Sequence, residues 1–525
     1  MKTFSIKSYL YALLYSLFNL LLYNGIFLKN IWDSGATIGN MLSIALIMIA
    51  TIQLGAILLF SRPLHRFSLG LFSIGSGLSL YFMNKYNVMI SKDILINLLE
   101  TDLGEASNFF SIKMCLYIFM LIASPLYLFG RVLKIKFSSP LEELQYKLYV
   151  LLLFVCSMTL LFLDSNFYTL KKNRGFVDYF IPINYIRNLY RVATWEIDRR
   201  RPKKLMDISS GSSMDIVVKN GKKNLLVIVI GESVRAKNIG LSGYHRNTTE
   251  FLDKYERNSL YFKNVYSCGS STFVSVPCMF SHLSKVEFSA QRANGSENLL
   301  DLYRKLGFFV LWESTNGSCK GVCDRVEHRI LDGDDGLLVD NLAGNIKKID
   351  KQNSIVVLHQ RGNHGPLYSK RYPVEFEKFS PVCRKDLDGC DLEEIVNAYD
   401  NAIYYTSFLL ARIIDILRGV EEEYNTALLY ISDHGESLGE KNIFMHAGPY
   451  FLTKNEQWHV PMFLWFSDSF IAEFCLDLTE LGKQLEDRLS HDNLFHSLLG
   501  LFKIQNPHYR RDLDIFHSQS TSTER

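Results

Sequence analysis

Acidic and basic side chains are missing from five long stretches of this 525-residue chain. Residues 8–28, 38–60, 67–84, 114–130 and 148–163 contain no Asp, Glu, Lys or Arg. Their lengths approach the roughly 20 residues that cross a bilayer. The last two are short and need flanking Tyr, Arg or Lys to reach the interface. No small-residue cleavage site follows the first run, and further runs come after it. It therefore reads as a span, not a signal peptide. Large net charge is also absent: charged residues make up 21% and the balance is +3. With no dominant basic stripe and no nucleic-acid motif, nucleic acid is not an expected partner. No internal repeat is present.

Basic residues set the expected topology. Lys2 and Lys7 precede the first run, Arg62 and Arg66 lie between the second and third, and Arg131, Lys134 and Lys136 lie between the fourth and fifth. Five spans place all three clusters on one side, with a cytoplasmic N-terminus. Everything after residue 163 then lies on the opposite side. The cysteines agree. Cys115 and Cys156 fall inside apolar runs, while Cys268/Cys278, Cys319/Cys323 and Cys383/Cys390 form close pairs. Close pairs in an exported domain read as disulfides. The Cys319-Lys-Gly-Val-Cys323 spacing also suits zinc, but no second Cys or His pair lies at finger spacing. Cys475 is left over and is expected to be a buried free thiol.

Three regions follow. Residues 1–164 are predicted to form a membrane domain of five helices with an extended loop at 85–113. Residues 165–220 read as interfacial helices and a linker, because Tyr179, Phe180, Tyr185 and Tyr190 alternate with Arg187 and Arg191. Residues 221–525 read as an α/β catalytic domain. In the loop, Asn97, Thr101 and Glu105 are spaced four apart and share one helical face; periodicity alone fits a solvated face. In the last region, apolar runs at 225–230, 354–359 and 427–432 alternate with helical segments. That pattern predicts a largely parallel sheet covered on both faces. Ligands bind such sheets beyond the carboxyl ends of the strands.

Chemistry-bearing residues sit at those ends. Glu232, Asp433 and His434 each follow a buried-type strand, and all are ligand types for zinc or manganese. Between Cys268 and Cys278 runs a hydroxyl-rich loop whose Thr272 could supply a fourth oxygen. A loop of this kind places a hydroxyl at a helix start, where free N–H groups favour an anion. The Thr272 hydroxyl is expected at the surface. His364 and His446, each beside glycine, could hold a second metal, a phosphate oxygen, or both. His359, His459, His491 and His496 read as structural.

At this point a resemblance emerges. Gly231-Glu232-Ser-Val-Arg-Ala, Ser267-Cys268-Gly-Ser-Ser-Thr272, Val274-Ser-Val-Pro-Cys278-Met-Phe-Ser, Gly362-Asn-His364-Gly-Pro and Ser432-Asp433-His434-Gly-Glu-Ser-Leu-Gly-Glu resemble the phosphoethanolamine transferase family. These are bacterial inner-membrane enzymes, among them lipid A modifiers and colistin-resistance transferases. The resemblance implies a five-span helical domain plus a periplasmic, sulfatase-like domain of the alkaline phosphatase superfamily. It implies Thr272 as nucleophile, and Glu232, Thr272, Asp433 and His434 as holders of one zinc. His364 and His446 would take the phosphoryl group or a second zinc. Asn97, Thr101, Glu105, Asn316 and Lys320 would contact the donor. Gly317 departs from the serine of some relatives, which puts one donor contact in question; Ser270, a threonine in many relatives, is a mild variation. The implied donor is phosphatidylethanolamine. The acceptor would be lipid A phosphate, a core sugar, or a periplasmic protein or glycan, and the enzyme a monomer. Phosphoglycerol transferase and sulfatase are the nearest alternatives, although Thr272 is not in the Cys/Ser-x-Pro-x-Arg setting of a sulfatase. A degenerate membrane sensor or scaffold is the non-enzymatic alternative.

Overall fold

Side-chain chemistry in the first third produces helices. The computed structural model describes residues 4–59, 65–86, 90–100, 112–136, 138–163, 176–200, 204–214, 220–385, 387–446 and 450–517. The chain divides into two compact units, one comprising Met1–Leu95 with Phe110–Thr194, the other Ile96–Phe109 with Trp195–Arg525.

In the first third of the chain the described helices are α1 (Ser8–Tyr23), α2 (Gly25–Asp33), α3 (Ile38–Leu59), α4 (His65–Tyr86), α5 (Lys92–Glu100), α6 (Ile112–Pro125) and α7 (Pro140–Leu163). Among the described residues, three helical stretches are long and apolar enough to cross a membrane: Ile38–Ala56, Met114–Val132 and Pro140–Leu163. A fourth arises if α1 and α2, bent by 63°, count as one span. The break falls at Asn24. Its side-chain amide donates to Ile181 O at 2.9 Å and its carbonyl accepts from Ile181 N at 2.9 Å. The apolar run 67–84 does become helix, within α4, but buries Ser68, Ser73, Ser76 and Ser79 along it. Those hydroxyls dilute its hydropathy, and its small residues allow close packing: a Cβ on Gly77 would lie 3.1 Å from Ile122 Cγ1. Cys115 and Cys156 lie on the exposed faces of α6 and α7. From the connector, Ile183–Arg200 forms α8.

The second unit is built on a sheet of eight strands. They are β1 (Lys223–Gly231), β2 (Ser259–Tyr266), β3 (Phe309–Ser314), β4 (Glu327–Ile330), β5 (Asn353–His359), β6 (Tyr424–Ser432), β7 (His459–Phe466) and β8 (Leu489–Ser490), in spatial order β8-β2-β7-β6-β1-β5-β3-β4. β7 is antiparallel to both neighbours, and the other pairings are parallel. This is the covered parallel sheet that the continuous apolar runs predict. Along β1, Leu226, Ile228 and Ile230 enter one core while Leu225, Val227 and Val229 enter the other. Each such side chain, fully buried, contributes roughly 1.5–3 kcal/mol. The second core is covered by α10 (Leu392–Arg418), whose start carries the Asp391/Glu394 capping box. The first core receives α9 (Thr272–Met279) and α11 (Asp492–Leu501).

All three expected disulfides form: Cys268–Cys278, Cys319–Cys323 and Cys383–Cys390. Cys475 departs from expectation. It is a free thiol but exposed, because it caps a short helix in the left-handed conformation (φ 54°).

Candidate active site

Register places the first two acidic residues side by side. Gly231 pairs with Ser432 across β1 and β6, so Glu232 and Asp433 leave adjacent strands at the same level. Ser233, in the left-handed region (φ 59°), turns the chain back and donates its N–H to Asp433 Oδ1 at 3.1 Å. The His434 N–H donates to the same oxygen at 2.6 Å. Asp433 Oδ2 is buried and has no hydrogen-bond partner among the described residues. His434 Nδ1 lies 2.9 Å from the Gly435 carbonyl. Donation to that carbonyl leaves the Nε2 lone pair facing the carboxylates, 3.3 Å from Glu232 Oε1 and 3.4 Å from Asp433 Oδ2.

Thr272 completes the group. It opens α9, where the extended Ser271 caps the helix, as the loop pattern predicts. Its hydroxyl donates to Glu232 Oε2 at 2.9 Å and lies 3.4 Å from His434 Nε2. It is not at the surface as expected: Thr272 is only 7% exposed. The Cys268–Cys278 bridge holds both ends of its loop, and buried His491 ties the loop to the sheet. His491 Nδ1 accepts from Cys268 N, and its Nε2 donates to Ser432 O at 3.0 Å.

Glu232, Asp433 and His434 are all fully buried. Burial works hardest against the Glu232 charge, but His434, His364 and His446 outweigh it and hold that carboxyl below the usual range. Burial, and then the charge of Glu232, pushes the Asp433 carboxyl well above it. Two carboxylates in one dry pocket call for a cation between them. The donor set fits one: ligand atoms of Glu232, Asp433 and His434 all lie within 4.8 Å of one another. Asp433 Oδ2, orphaned otherwise, points to the same role.

His364 and His446 converge next door. Their ring centroids are 5.4 Å apart, and that of His446 is 4.6 Å from that of His434. His446 is oriented by Glu436, 3.0 Å from its Nδ1; Glu436 also accepts from Tyr368 OH at 2.9 Å. Glu436 is a site residue that sequence reasoning quoted within a motif but gave no role. Asn316 donates to Glu232 Oε2 at 2.6 Å and lies 3.2 Å from His359 Nε2. His359, read as structural, therefore sits directly behind the site, and burial pulls it down to about 4. Lys320, left-handed at φ 53°, and Phe273 line a cleft of about 360 Å³. The Asn97 side chain, Thr101 and Glu105 lie outside the described residues.

Residues 224–504 match the Sulfatase family, and residues 46–197 match the family described as Phosphoethanolamine transferase EptA/EptB. Phosphoethanolamine transferase EptA of Escherichia coli (strain K12) is 32% identical over 89% of this chain and 87% of its own length. The chain belongs to the phosphoethanolamine transferase family. Phosphatidylethanolamine transferase Mcr-1 of Escherichia coli is likewise 32% identical, over 87% of this chain and 88% of that protein. The solved integral membrane protein lipooligosaccharide phosphoethanolamine transferase A (EptA) from Neisseria meningitidis superposes with a TM-score of 0.89 at 26% identity, covering 98% of this chain and 99% of that one.

One glycine of this transferase has a specific job. Gly362 adopts φ +47°, and a Cβ there would lie 2.8 Å from Glu232 O and 2.9 Å from Glu232 N. Backbone cannot yield as a side chain tip does. Gly362→Ala should therefore cost about 1–3 kcal/mol of stability and displace Glu232. Thermal melting and the transfer assay should both show the loss. An unchanged melting midpoint with full activity would contradict this reading of the turn.

Proposed function

We propose that this transferase moves phosphoethanolamine from phosphatidylethanolamine to an envelope acceptor, with lipid A phosphate first among candidates, through a covalent intermediate on Thr272. The observation that carries the reading is the Thr272 hydroxyl, held at a helix start within hydrogen-bond reach of Glu232 and His434. EptA and Mcr-1, whose names carry the same transfer, support it at 32% identity. A bacterial inner-membrane location, five spans, a cytoplasmic N-terminus and a periplasmic catalytic domain suit the basic-residue bias and the three disulfides.

Glu232, Asp433 and His434, with Thr272, would hold a zinc ion. His364 and His446 would bind the phosphoryl group or a second one. A bound zinc lowers the pKa of a neighbouring hydroxyl and offsets oxyanion charge as it develops. The chain itself does the rest. Glu232 and His434 fix the Thr272 oxygen and accept its proton in hydrogen bonds. The N-terminal amides of α9 face incoming negative charge. Thr272 Oγ1 attacks phosphorus and the bond to the glycerol oxygen breaks, so diacylglycerol leaves with a proton. An acceptor oxygen then attacks the same phosphorus, the Oγ1–P bond breaks, and Thr272 regains its proton. Two displacements give ping-pong kinetics.

Donor choice would rest on Asn97, Thr101 and Glu105, together with Asn316 and Lys320. Glu105 can accept hydrogen bonds from the ethanolamine ammonium, and a phosphoglycerol head group offers no cation. In a detergent assay with labelled lipid, wild-type protein should transfer from phosphatidylethanolamine and Glu105→Ala should lose most of that rate, about 10-fold or more for a charge-assisted contact. Phosphatidylglycerol serving equally well would favour the phosphoglycerol reading instead. Mass spectrometry of envelope lipids and glycans, with and without the protein, identifies the acceptor.

A further inference from the structure

At the catalytic end of the sheet, but away from Asn316 and Lys320, cations gather around two aromatic rings. Tyr266 ends β2. The Arg488 guanidinium lies 4.9 Å from its ring centre, the Lys454 ammonium lies 5.7 Å away, and the His459 ring stacks on it at 5.2 Å. The Lys285 ammonium lies 4.0 Å over the Trp458 ring and donates to Ser267 O at 3.1 Å. Burial, opposed by Asp492 and aided by Arg488, pulls the Lys285 ammonium down to about 8. Among the described residues neither Arg488 nor Lys454 pairs with a carboxylate, although both approach the same ring. Asp492 offsets part of the Lys285 charge, while Arg488 and Lys454 share one ring.

Next to them opens a groove of about 620 Å³. Tyr266, Lys285 and Arg488 line it together with Asp487, Asp512 and Asp514; Asp512 is paired with Arg510 at 2.8 Å, and Asp514 accepts from Tyr509 OH at 2.7 Å. Cations suit phosphate oxygens, and carboxylates accept hydroxyl donors. Together they suit a ligand that carries both. The position ties the groove to catalysis. Tyr266 runs directly into the loop that ends at Thr272, and Ser267 N donates to Trp458 O at 2.8 Å. In the strand order, β2 and β8 lie on one side of the central β1 and β6; β3, which leads to Asn316 and Lys320, lies on the other.

We propose that the groove lined by Tyr266, Lys285 and Arg488, with Lys454 against the same Tyr266 ring, is a separate acceptor subsite and that its ligand is a phosphorylated saccharide. This rests on the transfer reading above. Arg488 and Lys454 bind a phosphate of the acceptor, the carboxylate wall takes sugar hydroxyls, and the acceptor is thereby presented to the loaded Thr272.

The test uses full-length enzyme in detergent and an Arg488→Gln/Lys454→Gln double variant; Arg488 is exposed and Lys454 half-exposed. First, labelled phosphatidylethanolamine is supplied without acceptor, and diacylglycerol release and label on the protein are read. Second, transfer is measured to a lipid-linked glucosamine disaccharide bearing phosphate, and to its dephosphorylated counterpart bearing only hydroxyls. The double variant should take label as wild type does, because the first half-reaction uses neither side chain. Its KM for the phosphorylated acceptor should rise about 10-fold or more, with kcat nearly kept and a flatter salt dependence. Transfer to the dephosphorylated acceptor should change little. A wild-type KM for the phosphorylated acceptor overturns the subsite. A wild-type enzyme that takes no label overturns the transfer reading itself.

Discussion

Replacing Thr272 by alanine should abolish transfer while leaving the fold standing. The first half of that statement follows from chemistry: without Oγ1 there is no atom to form the covalent link, and losing a nucleophile of this kind costs about 10⁴-fold or more in rate. The second half follows from the contacts. The hydroxyl is buried, so its removal is not free; it leaves Glu232 Oε2 one donor short. That oxygen still receives the Asn316 amide at 2.6 Å. The loss of one buried hydrogen bond is then about 1 kcal/mol. Thr272→Ser should keep a reduced but measurable rate, since the oxygen remains while the methyl group that restricts its rotamer is gone. If alanine supported near wild-type transfer, Ser271 would have to take the role instead.

Asp433→Asn should separate stability from function in an unusual direction. The amide oxygen can replace Oδ1 as acceptor for Ser233 N and His434 N. What disappears is a buried carboxyl whose charge both burial and Glu232 oppose. Metal-free protein should therefore melt at the same temperature as wild type or higher. Zinc should no longer raise that midpoint, because the lost charge weakens binding, and ligand stabilisation scales with the logarithm of zinc over its dissociation constant. Activity should fall by about 10³-fold, in line with the loss of charge stabilisation from a catalytic site. Chelation should silence wild type and zinc should restore it, with little effect of either on the variant. A metal-free variant that melts well below wild type would show that Asp433 is structural, not a ligand.

How far the sequence leads depends on how local each feature is. Strand ends are local: an apolar run followed by Gly-Glu or Ser-Asp-His announces residues of ligand type, and Glu232, Asp433 and His434 do meet. Close cysteine pairs are equally local, and all three bridges form. The role of Glu436 is not. It pairs with Tyr368, 68 residues away in the chain, and no pattern announces that contact. His359 looked like any strand-end histidine until β3 and β5 came together and brought Asn316 to it. In the helical unit the polar residues act through tertiary contacts that no apolar run announces: Asn24 bends the first run by bonding the backbone at Ile181, and four serines are buried along 67–84. The loop bearing Asn97, Thr101 and Glu105 stays a matter of sequence spacing.

The proposed mechanism turns on a covalent phosphoethanolamine–threonine at position 272. The direct measurement is peptide mass spectrometry of the purified full-length enzyme, quenched in acid after mixing with phosphatidylethanolamine and no acceptor. The expected result is the mass of one phosphoethanolamine group on the peptide containing Thr272, fragmentation that places it on that residue, and its disappearance when acceptor is added before the quench. Diacylglycerol released with the group found on another residue, or only in solution, would contradict it.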